Sequence, residues 1–314
     1  MATLADVAEL VRAPAALSVP GDVIAGAAAA GALGPRTPAL AGASVLLYWA
    51  GMAANDWSDR RLDAVERPER PIPSGRISPA AAVGLAAGLT AAGVGLATAV
   101  GGRRAAALAV PLAASIWGYD LLAKNTAAGP AVMAACRGLD VLLGASGGRW
   151  ARALPAAATV AAHTWTVTAL SRREVSGADT TLPKRTLAGT VVVAASAAVA
   201  VPRARRVAAE RAGGTDRAGA VDGVGGHATR SAGIATVLPA VLAGWYAARY
   251  GAAQAEVVRD PSAGRVRAAV GAGITGLPAL QGALTARGGA GLLGLAVAAA
   301  APLGRRLARK VSPT

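Results

Sequence analysis

Apolar stretches separated by short charged stretches run along almost the whole chain. Many of them approach the length of about 20 residues that a helix needs to cross a bilayer, and few contain a charge. The pattern predicts an all-α, polytopic transmembrane helical bundle of about nine or ten spans, built as a single domain over 1–314. The candidate spans are 13–34 (interrupted by Asp22), 37–54, 77–102, 105–119, 125–148, 153–171, 186–202, 231–248, 268–286 and 288–304.

Composition supports a membrane protein. Hydrophobic residues make up 54% of the chain and charged residues only 16%, while Phe is absent and small residues are abundant. Small residues allow helices in lipid to pack closely. The net charge of +15 lies in short basic runs between apolar stretches, as in membrane loops, so no nucleic acid partner is predicted. The lone Cys136 excludes an intramolecular disulfide framework.

Two further features concern topology. The segment 203–230 is rich in Gly and Arg and is predicted to be a flexible connector, since its composition cannot bury a core. The N-terminus lacks a basic region followed by a cleavage site, so no signal peptide is predicted. The balance of Lys and Arg between the two sides places the loop after the second span on the cytoplasmic side of the cell membrane.

That loop, 52–78, packs five acidic residues and five arginines between two apolar stretches. If its first part is helical, Asp56, Asp59 and Asp63 share one face. Three carboxylates so close together would repel each other unless a cation lies among them. Mg²⁺ binds such hard oxygen ligands together with phosphate oxygens, and arginines grip phosphate through paired hydrogen bonds. The alternative is a solvated, salt-bridged loop between two helices.

The motif Asn55-Asp56-x-x-Asp59-x-x-x-Asp63, followed by Arg67-Pro-x-Arg70-Pro-Ile-Pro-Ser-Gly, closely resembles the first aspartate-rich motif of the UbiA superfamily of intramembrane prenyltransferases. The resemblance implies a bundle of nine spans, a Mg²⁺ cofactor and prenyl transfer. The count of nine spans from the resemblance and the count of ten from the apolar stretches differ at 268–286 and 288–304. Finer details, among them the arginine-proline pattern of the loop, are most similar to the EboC branch of the superfamily.

A second loop, 171–183, is similar to the second acidic motif of that family. Arg173-Glu174-Val175 matches its opening and Thr181-Leu182-Pro183 its close, but the middle is shortened and keeps only Asp179. The resemblance implies that Glu174 and Asp179 bind metal, whereas the shortened middle leaves open an ordinary polar loop between helices.

Other polar residues stand close to apolar stretches. Lys124 is either a phosphate-binding or an interface-anchoring lysine, and Asp120 is placed to pair with it at a spacing of four. Arg137 and Asp140 interrupt the fifth stretch, where charges are costly unless paired or facing a cavity. Their spacing of three predicts an ion pair, and the alternative is that Arg137 meets the substrate. His163 is predicted to be a hydrogen-bonded core residue.

The resemblance implies transfer of a prenyl group from a polyprenyl diphosphate to an aromatic or other lipophilic acceptor within the membrane. The alternative function is a non-catalytic membrane protein that binds or carries a prenylated lipid or diphosphate. A CDP-alcohol phosphotransferase is disfavoured because its motif is not found. Membrane lipids are expected around the chain, and no obligate protein partner is inferred. The predicted catalytic residues are Asp56, Asp59 and Glu174; the predicted substrate-binding residues are Asn55, Arg60, Arg70, Lys124 and Arg137; and the predicted metal ligands are Asp56, Asp59, Asp63, Glu174 and Asp179.

Overall fold

The computed structural model describes residues 2–13, 18–199 and 237–300, and within these ranges the chain is helical and contains no β-strand. The all-α prediction is therefore confirmed. The predicted connector 203–230 and the first part of the stretch 231–248 lie outside the described residues. The helices are α1 (Leu4–Leu10), α2 (Pro20–Ala30), α3 (Thr37–Glu66), α4 (Pro79–Gly118), α5 (Gly129–Gly144), α6 (Leu154–Ser171), α7 (Leu182–Ala198), α8 (237–246), α9 (Ala252–Arg259), α10 (Ala263–Arg287) and α11 (Gly291–Ala300).

Local sequence signals explain several helix boundaries. Helices α2, α3, α4, α5 and α7 each carry a proline in the first two helical positions, where its missing N–H is not needed. Helix α2 ends at Gly31, whose φ of 69° lies in the left-handed region that favours glycine. Ser78 caps α4 by accepting a hydrogen bond from the backbone N–H of Ala81.

Two compact units make up the chain, one containing Met1–Ala169 and the other Leu170–Ala301. Within the described residues, two helical segments are long and apolar enough to cross a membrane, Thr37–Glu66 and Pro79–Ala123. The predicted count of nine or ten spans is thus not confirmed. In the second unit, the buried side chain of Gln254 on α9 donates a hydrogen bond to Thr190 on α7 at 2.6 Å.

The longer of these segments folds back on itself at Gly102. This residue leaves the helical region with φ 64° and ψ −158°. The Trp117 Nε1–H donates to Thr90 Oγ1 at 3.0 Å across 27 residues, which is impossible within one straight helix. Helix α4 is therefore an antiparallel hairpin with arms 79–101 and 103–118. The predicted stretches 77–102 and 105–119 correspond to these arms.

Helix α3 packs along both arms of this hairpin. A Cβ added at Gly93 on the first arm would lie 2.9 Å from the Leu47 side chain, and one at Gly101 would lie 3.6 Å from Leu40. A Cβ added at Gly51 would lie 2.6 Å from Ile116 on the second arm. The start of α3, at Leu40, thus lies beside the Gly102 turn, and its middle, at Gly51, lies beside the end of α4. Leu40 and Gly51 are about 16 Å apart along the helix at 1.5 Å per residue.

Helices α2 and α5 cross with their backbones in contact. A Cβ at Gly26 would stand 1.7 Å from the Val141 carbonyl oxygen, and one at Gly144 would stand 2.0 Å from the Val23 carbonyl oxygen. Only glycine permits such an approach, as is common where membrane helices pack.

Candidate active site

The charged motif occupies the last turns of α3, which continues to Glu66 well beyond the apolar stretch 37–54. Its helical start is as the sequence predicts. The three aspartates nevertheless differ in surroundings. Asp56 and Asp63 are buried, with 4% and 3% of their surface exposed, whereas the Asp59 side chain is 26% exposed.

Two arginines from outside α3 neutralise the buried pair. Arg70 Nη1 lies 2.7 Å from Asp63 Oδ2 and 3.5 Å from Asp56 Oδ1, so one guanidinium joins two carboxylates a little under two turns apart. Arg12 Nη2 lies 2.7 Å from the same Asp56 oxygen. Arg12 has a φ of 46°, a left-handed conformation that is uncommon for a side chain of this size.

Asp59 has a different cation. Lys124 Nζ lies 2.6 Å from Asp59 Oδ1 and donates to Ser58 Oγ at 3.0 Å. The predicted Lys124–Asp120 pairing is therefore corrected: the lysine reaches across to α3. Asp120 instead accepts a hydrogen bond from Asn55 Nδ2 at 3.1 Å.

The loop after α3 is a series of turns rather than a flexible link. Its Gly75 has a φ of 77°, and the Ile77 N–H donates to the Pro71 carbonyl oxygen at 2.9 Å. Ile72 and Ile77 are buried together with Leu10 of α1. The apolar residues of the loop thus fasten it, and with it Arg70, to the end of α3.

Arg76 ties the same loop to α1. Its guanidinium lies 2.7 Å from Asp6 Oδ1 and 2.7 Å from Glu9 Oε2. Hydrogen bonds from the backbone N–H and hydroxyl of Thr3, with the Arg76 guanidinium, lower the pKa of the Asp6 carboxyl to about 2. This link holds the helix from whose end Arg12 extends.

The remaining predicted residues of this unit contact groups other than Asp56, Asp59 and Asp63. Arg60 donates to the Trp57 carbonyl oxygen at 2.7 Å, and its guanidinium stacks 4.7 Å from the centre of the Trp57 ring. Arg137 pairs with Asp22 of α2 at 2.7 Å, so the predicted Arg137–Asp140 pair is wrong. Asp140 accepts from Ser44. His163 is buried, with 2% of its surface exposed, as predicted for a core residue.

The second loop belongs to the other unit. Asp179 Oδ1 accepts hydrogen bonds from the Thr181 N–H, the Thr181 hydroxyl and the Leu182 N–H at 2.7–2.9 Å, which fixes the start of α7. These bonds lower the pKa of the Asp179 carboxyl. Glu174 is half-buried, and burial raises the pKa of its carboxyl. One oxygen of Asp179 is thus engaged in a structural role.

Within residues 2–13, 18–199 and 237–300, no three His, Cys, Asp or Glu side chains form a metal-binding group. The donor chemistry still suits Mg²⁺. Asp56 and Asp63 direct carboxylate oxygens to one cationic group, and Mg²⁺ uses one or two protein carboxylates and completes its shell with water and phosphate. The pair fits this cation, provided that Arg12 and Arg70 release their oxygens.

Arg12 is not among the site residues predicted from the sequence. It lies 44 residues from Asp56 and follows an ordinary short amphipathic segment, so no local pattern marks it. The three nearby carboxylates indicate that a positive charge lies among them, but they do not indicate which cationic residue supplies it.

A model of the UbiA prenyltransferase family matches residues 19–201. The digeranylgeranylglyceryl phosphate synthase of Methanopyrus kandleri is 45% identical over 76 residues, which are 24% of this chain and 28% of that protein. Its namesake in Ignicoccus hospitalis is 42% identical over 93 residues, 30% and 31% of the two chains. The bacteriochlorophyll synthase 33 kDa chain of Rhodobacter capsulatus is 72% identical over 25 residues, 8% of each. The matches span less than a third of these curated relatives.

Two solved structures share the fold. One, from work on digeranylgeranylglyceryl phosphate synthase in membranes, has a TM-score of 0.58 at 15% identity and covers 87% of this chain and 97% of that chain. The apo structure of a UbiA homolog from Aeropyrum pernix K1 has a TM-score of 0.55 at 20% identity, with 89% and 96% covered. At these identities the likeness shows the fold alone.

Proposed function

Because the chain belongs to the UbiA prenyltransferase family, we propose that it transfers a prenyl group from a prenyl diphosphate to a lipophilic acceptor within a membrane. The superfamily predicted from the sequence is confirmed by this match, while the EboC branch stays a prediction. Members of this family are integral membrane proteins, and two helical segments of the described chain are long and apolar enough to span a bilayer.

The cluster at the end of α3 carries the proposal. Asp56 and Asp63 are buried beside Arg12 and Arg70, and Asp59 is beside Lys124, so anionic and cationic groups alternate at the end of an apolar bundle. Carboxylates that bind a metal release their cationic partners, and those partners are suited to bind a diphosphate. One cluster can thus hold both the metal and the leaving group.

The reaction breaks the C–O bond between the prenyl carbon and the diphosphate and forms a bond from that carbon to the acceptor, which loses a proton. Bound Mg²⁺ would neutralise the charge that grows on the leaving diphosphate. Arg12, Arg70 and Lys124 would hold the diphosphate by charge-assisted hydrogen bonds. The apolar surface of the helices would keep water away from the reacting carbon.

The acceptor is not specified by the relatives. The strongly matching stretch of 25 residues is shared with a bacteriochlorophyll synthase, whereas longer matches are to digeranylgeranylglyceryl phosphate synthases. Since these relatives are named for different products, we leave the acceptor as lipophilic.

A carrier without catalysis is the second candidate, because one Asp179 oxygen is occupied by the start of α7. In the enzyme, we propose that Glu174 contributes to the transition state. Glu174→Gln should then lower kcat by about tenfold or more with a smaller change in substrate affinity. Diphosphate release and substrate binding are measured for both proteins over a set of lipophilic acceptors. If the unaltered protein releases no diphosphate with any acceptor, the carrier function is supported.

The orientation of the first unit gives a separate prediction. Val65 is 82% exposed at the motif end, and Arg103 is exposed at the Gly102 turn. A cysteine placed at Val65 should react with a membrane-impermeant thiol reagent added from the cytoplasmic side, and one at Arg103 only from the other side. Cys136 is buried and gives a low background. Labelling of both positions from the same side would show that α3 and α4 do not span the membrane.

A further inference from the structure

Asp120 is a buried carboxylate that the proposed chemistry does not use. It has 6% of its surface exposed and lies in a π-helical turn, Tyr119–Ala123, at the end of α4. The turn closes through the Lys124 N–H, which donates to the Tyr119 carbonyl oxygen at 2.9 Å. Such turns are rare and are frequently found at functional sites.

The carboxylate of Asp120 determines how Asn55 is oriented. Asn55 Nδ2 donates to Asp120 Oδ1 at 3.1 Å. An asparagine amide has two orientations, but an ionised carboxylate only accepts hydrogen bonds and therefore selects the one with the NH₂ group toward it. The amide oxygen of Asn55 is consequently turned away from Asp120. An amide oxygen is a hard ligand of the kind that Mg²⁺ and Ca²⁺ take from asparagine.

The contact between the two elements is built into both of them. A Cβ at Gly51, one helical turn before Asn55, would lie 2.6 Å from the Ile116 side chain and 3.5 Å from Asp120 Oδ2, so glycine allows the turn to approach α3. Ser58 Oγ donates to the Asp120 carbonyl oxygen at 3.1 Å. The turn is thus fastened to α3 on both sides of Asn55.

We infer that Asp120 is a positioning residue, which acts on the metal site by fixing the amide of Asn55 so that its oxygen is available to the cation. The inference rests on the proposed function, because it assigns Asn55 to the same Mg²⁺-diphosphate site as Asp56. Groups that orient metal ligands typically contribute a factor of about 10 to 100 to metal affinity.

Asp120→Ala in the full-length protein should weaken binding of Mn²⁺, used as a spectroscopic substitute for Mg²⁺ in the presence of pyrophosphate, by about tenfold. The Mg²⁺ concentration for half-maximal diphosphate release should rise in parallel, with a smaller change in the rate at saturating Mg²⁺. Asp120→Asn keeps the shape and one acceptor but no longer dictates the amide orientation, so its loss should be intermediate. Glu66→Gln, an exposed acid of α3, is the matched control.

A double-mutant cycle separates positioning from a general loss of structure. If Asp120 acts through Asn55, Asp120→Ala should add little to the loss caused by Asn55→Ala, whereas independent effects would multiply. Multiplying effects, or Mn²⁺ binding unchanged in Asp120→Ala, would overturn the inference. Mn²⁺ binding that is also unchanged in Asn55→Ala and Asp56→Asn would instead overturn the proposed function.

Discussion

Replacing Asp56 by asparagine should lower the rate of diphosphate release by roughly a hundredfold to a thousandfold, the range seen when one preorganised electrostatic contact to a transition state is lost. Asp56 is buried, and one of its oxygens lies 2.7 Å from Arg12 and 3.5 Å from Arg70. The asparagine keeps the size of the side chain but removes its negative charge. That charge is what a metal ion would bind after displacing the two arginines. Release from a labelled prenyl diphosphate, measured against Mg²⁺ concentration, checks the expectation.

The same substitution leaves two guanidinium groups with less negative charge nearby, so folding must be checked separately. Arg70 keeps its contact with Asp63 at 2.7 Å, and we therefore expect the helix to remain intact. Thermal unfolding and the Glu66→Gln variant provide the controls. If Asp56→Asn releases diphosphate like the unaltered protein while Glu66→Gln does too, the carboxylate has only a structural role.

Gly144→Ala should strongly destabilise the first unit. The added methyl group would lie 2.0 Å from the Val23 carbonyl oxygen, which is backbone and cannot swing aside. Helices α2 and α5 would have to separate, with a cost of about 1–3 kcal/mol or more, as for other overpacked cores. The separation would also strain the Asp22–Arg137 pair that joins the same helices. Unfolding in detergent measures the loss.

Gly84→Ala is the matched control, because a Cβ at Gly84 has no neighbour within 4 Å and the residue lies within α4. Alanine there should be neutral or stabilise the helix by up to about 1 kcal/mol. Equal stability of the Gly144→Ala and Gly84→Ala variants would contradict the close crossing of α2 and α5.

Local features of the fold follow from the sequence. The apolar stretch beginning at Thr37 and the prolines at several helix starts mark boundaries that the structure retains. The break between 77–102 and 105–119 is marked by two glycines and two arginines, and the chain turns at Gly102. These signals act over a few residues, which is why they can be read without knowing the packing.

The ion-pair partners in the candidate site are harder to predict from the sequence, because tertiary packing determines them. Asp120 has a lysine four residues away, yet Lys124 reaches Asp59 on another helix. Arg137 likewise passes over the nearby Asp140 and pairs with Asp22, more than a hundred residues earlier. Charged residues in an apolar bundle must be paired, but the sequence offers several possible partners for each of them.

The second acidic loop shows a different limit. Its resemblance to a family motif predicts metal binding for Asp179, which stays a prediction, and one oxygen of the side chain accepts hydrogen bonds at the start of α7. An aspartate that accepts hydrogen bonds from backbone N–H groups two and three residues ahead is common in turns before a helix, and both interpretations use the same residue type, so the sequence does not separate them.

We propose that this chain transfers prenyl groups with the metal-dependent cluster at the end of α3. The most direct measurement incubates the purified full-length protein with a radiolabelled prenyl diphosphate and a lipid extract, with Mg²⁺ or with EDTA. We expect label to appear in a new lipophilic product, in amounts equal to the diphosphate released, and only with Mg²⁺. Product formed equally with EDTA would contradict the role of the metal. No product and no released diphosphate, while the labelled substrate still binds, would show a carrier instead of an enzyme.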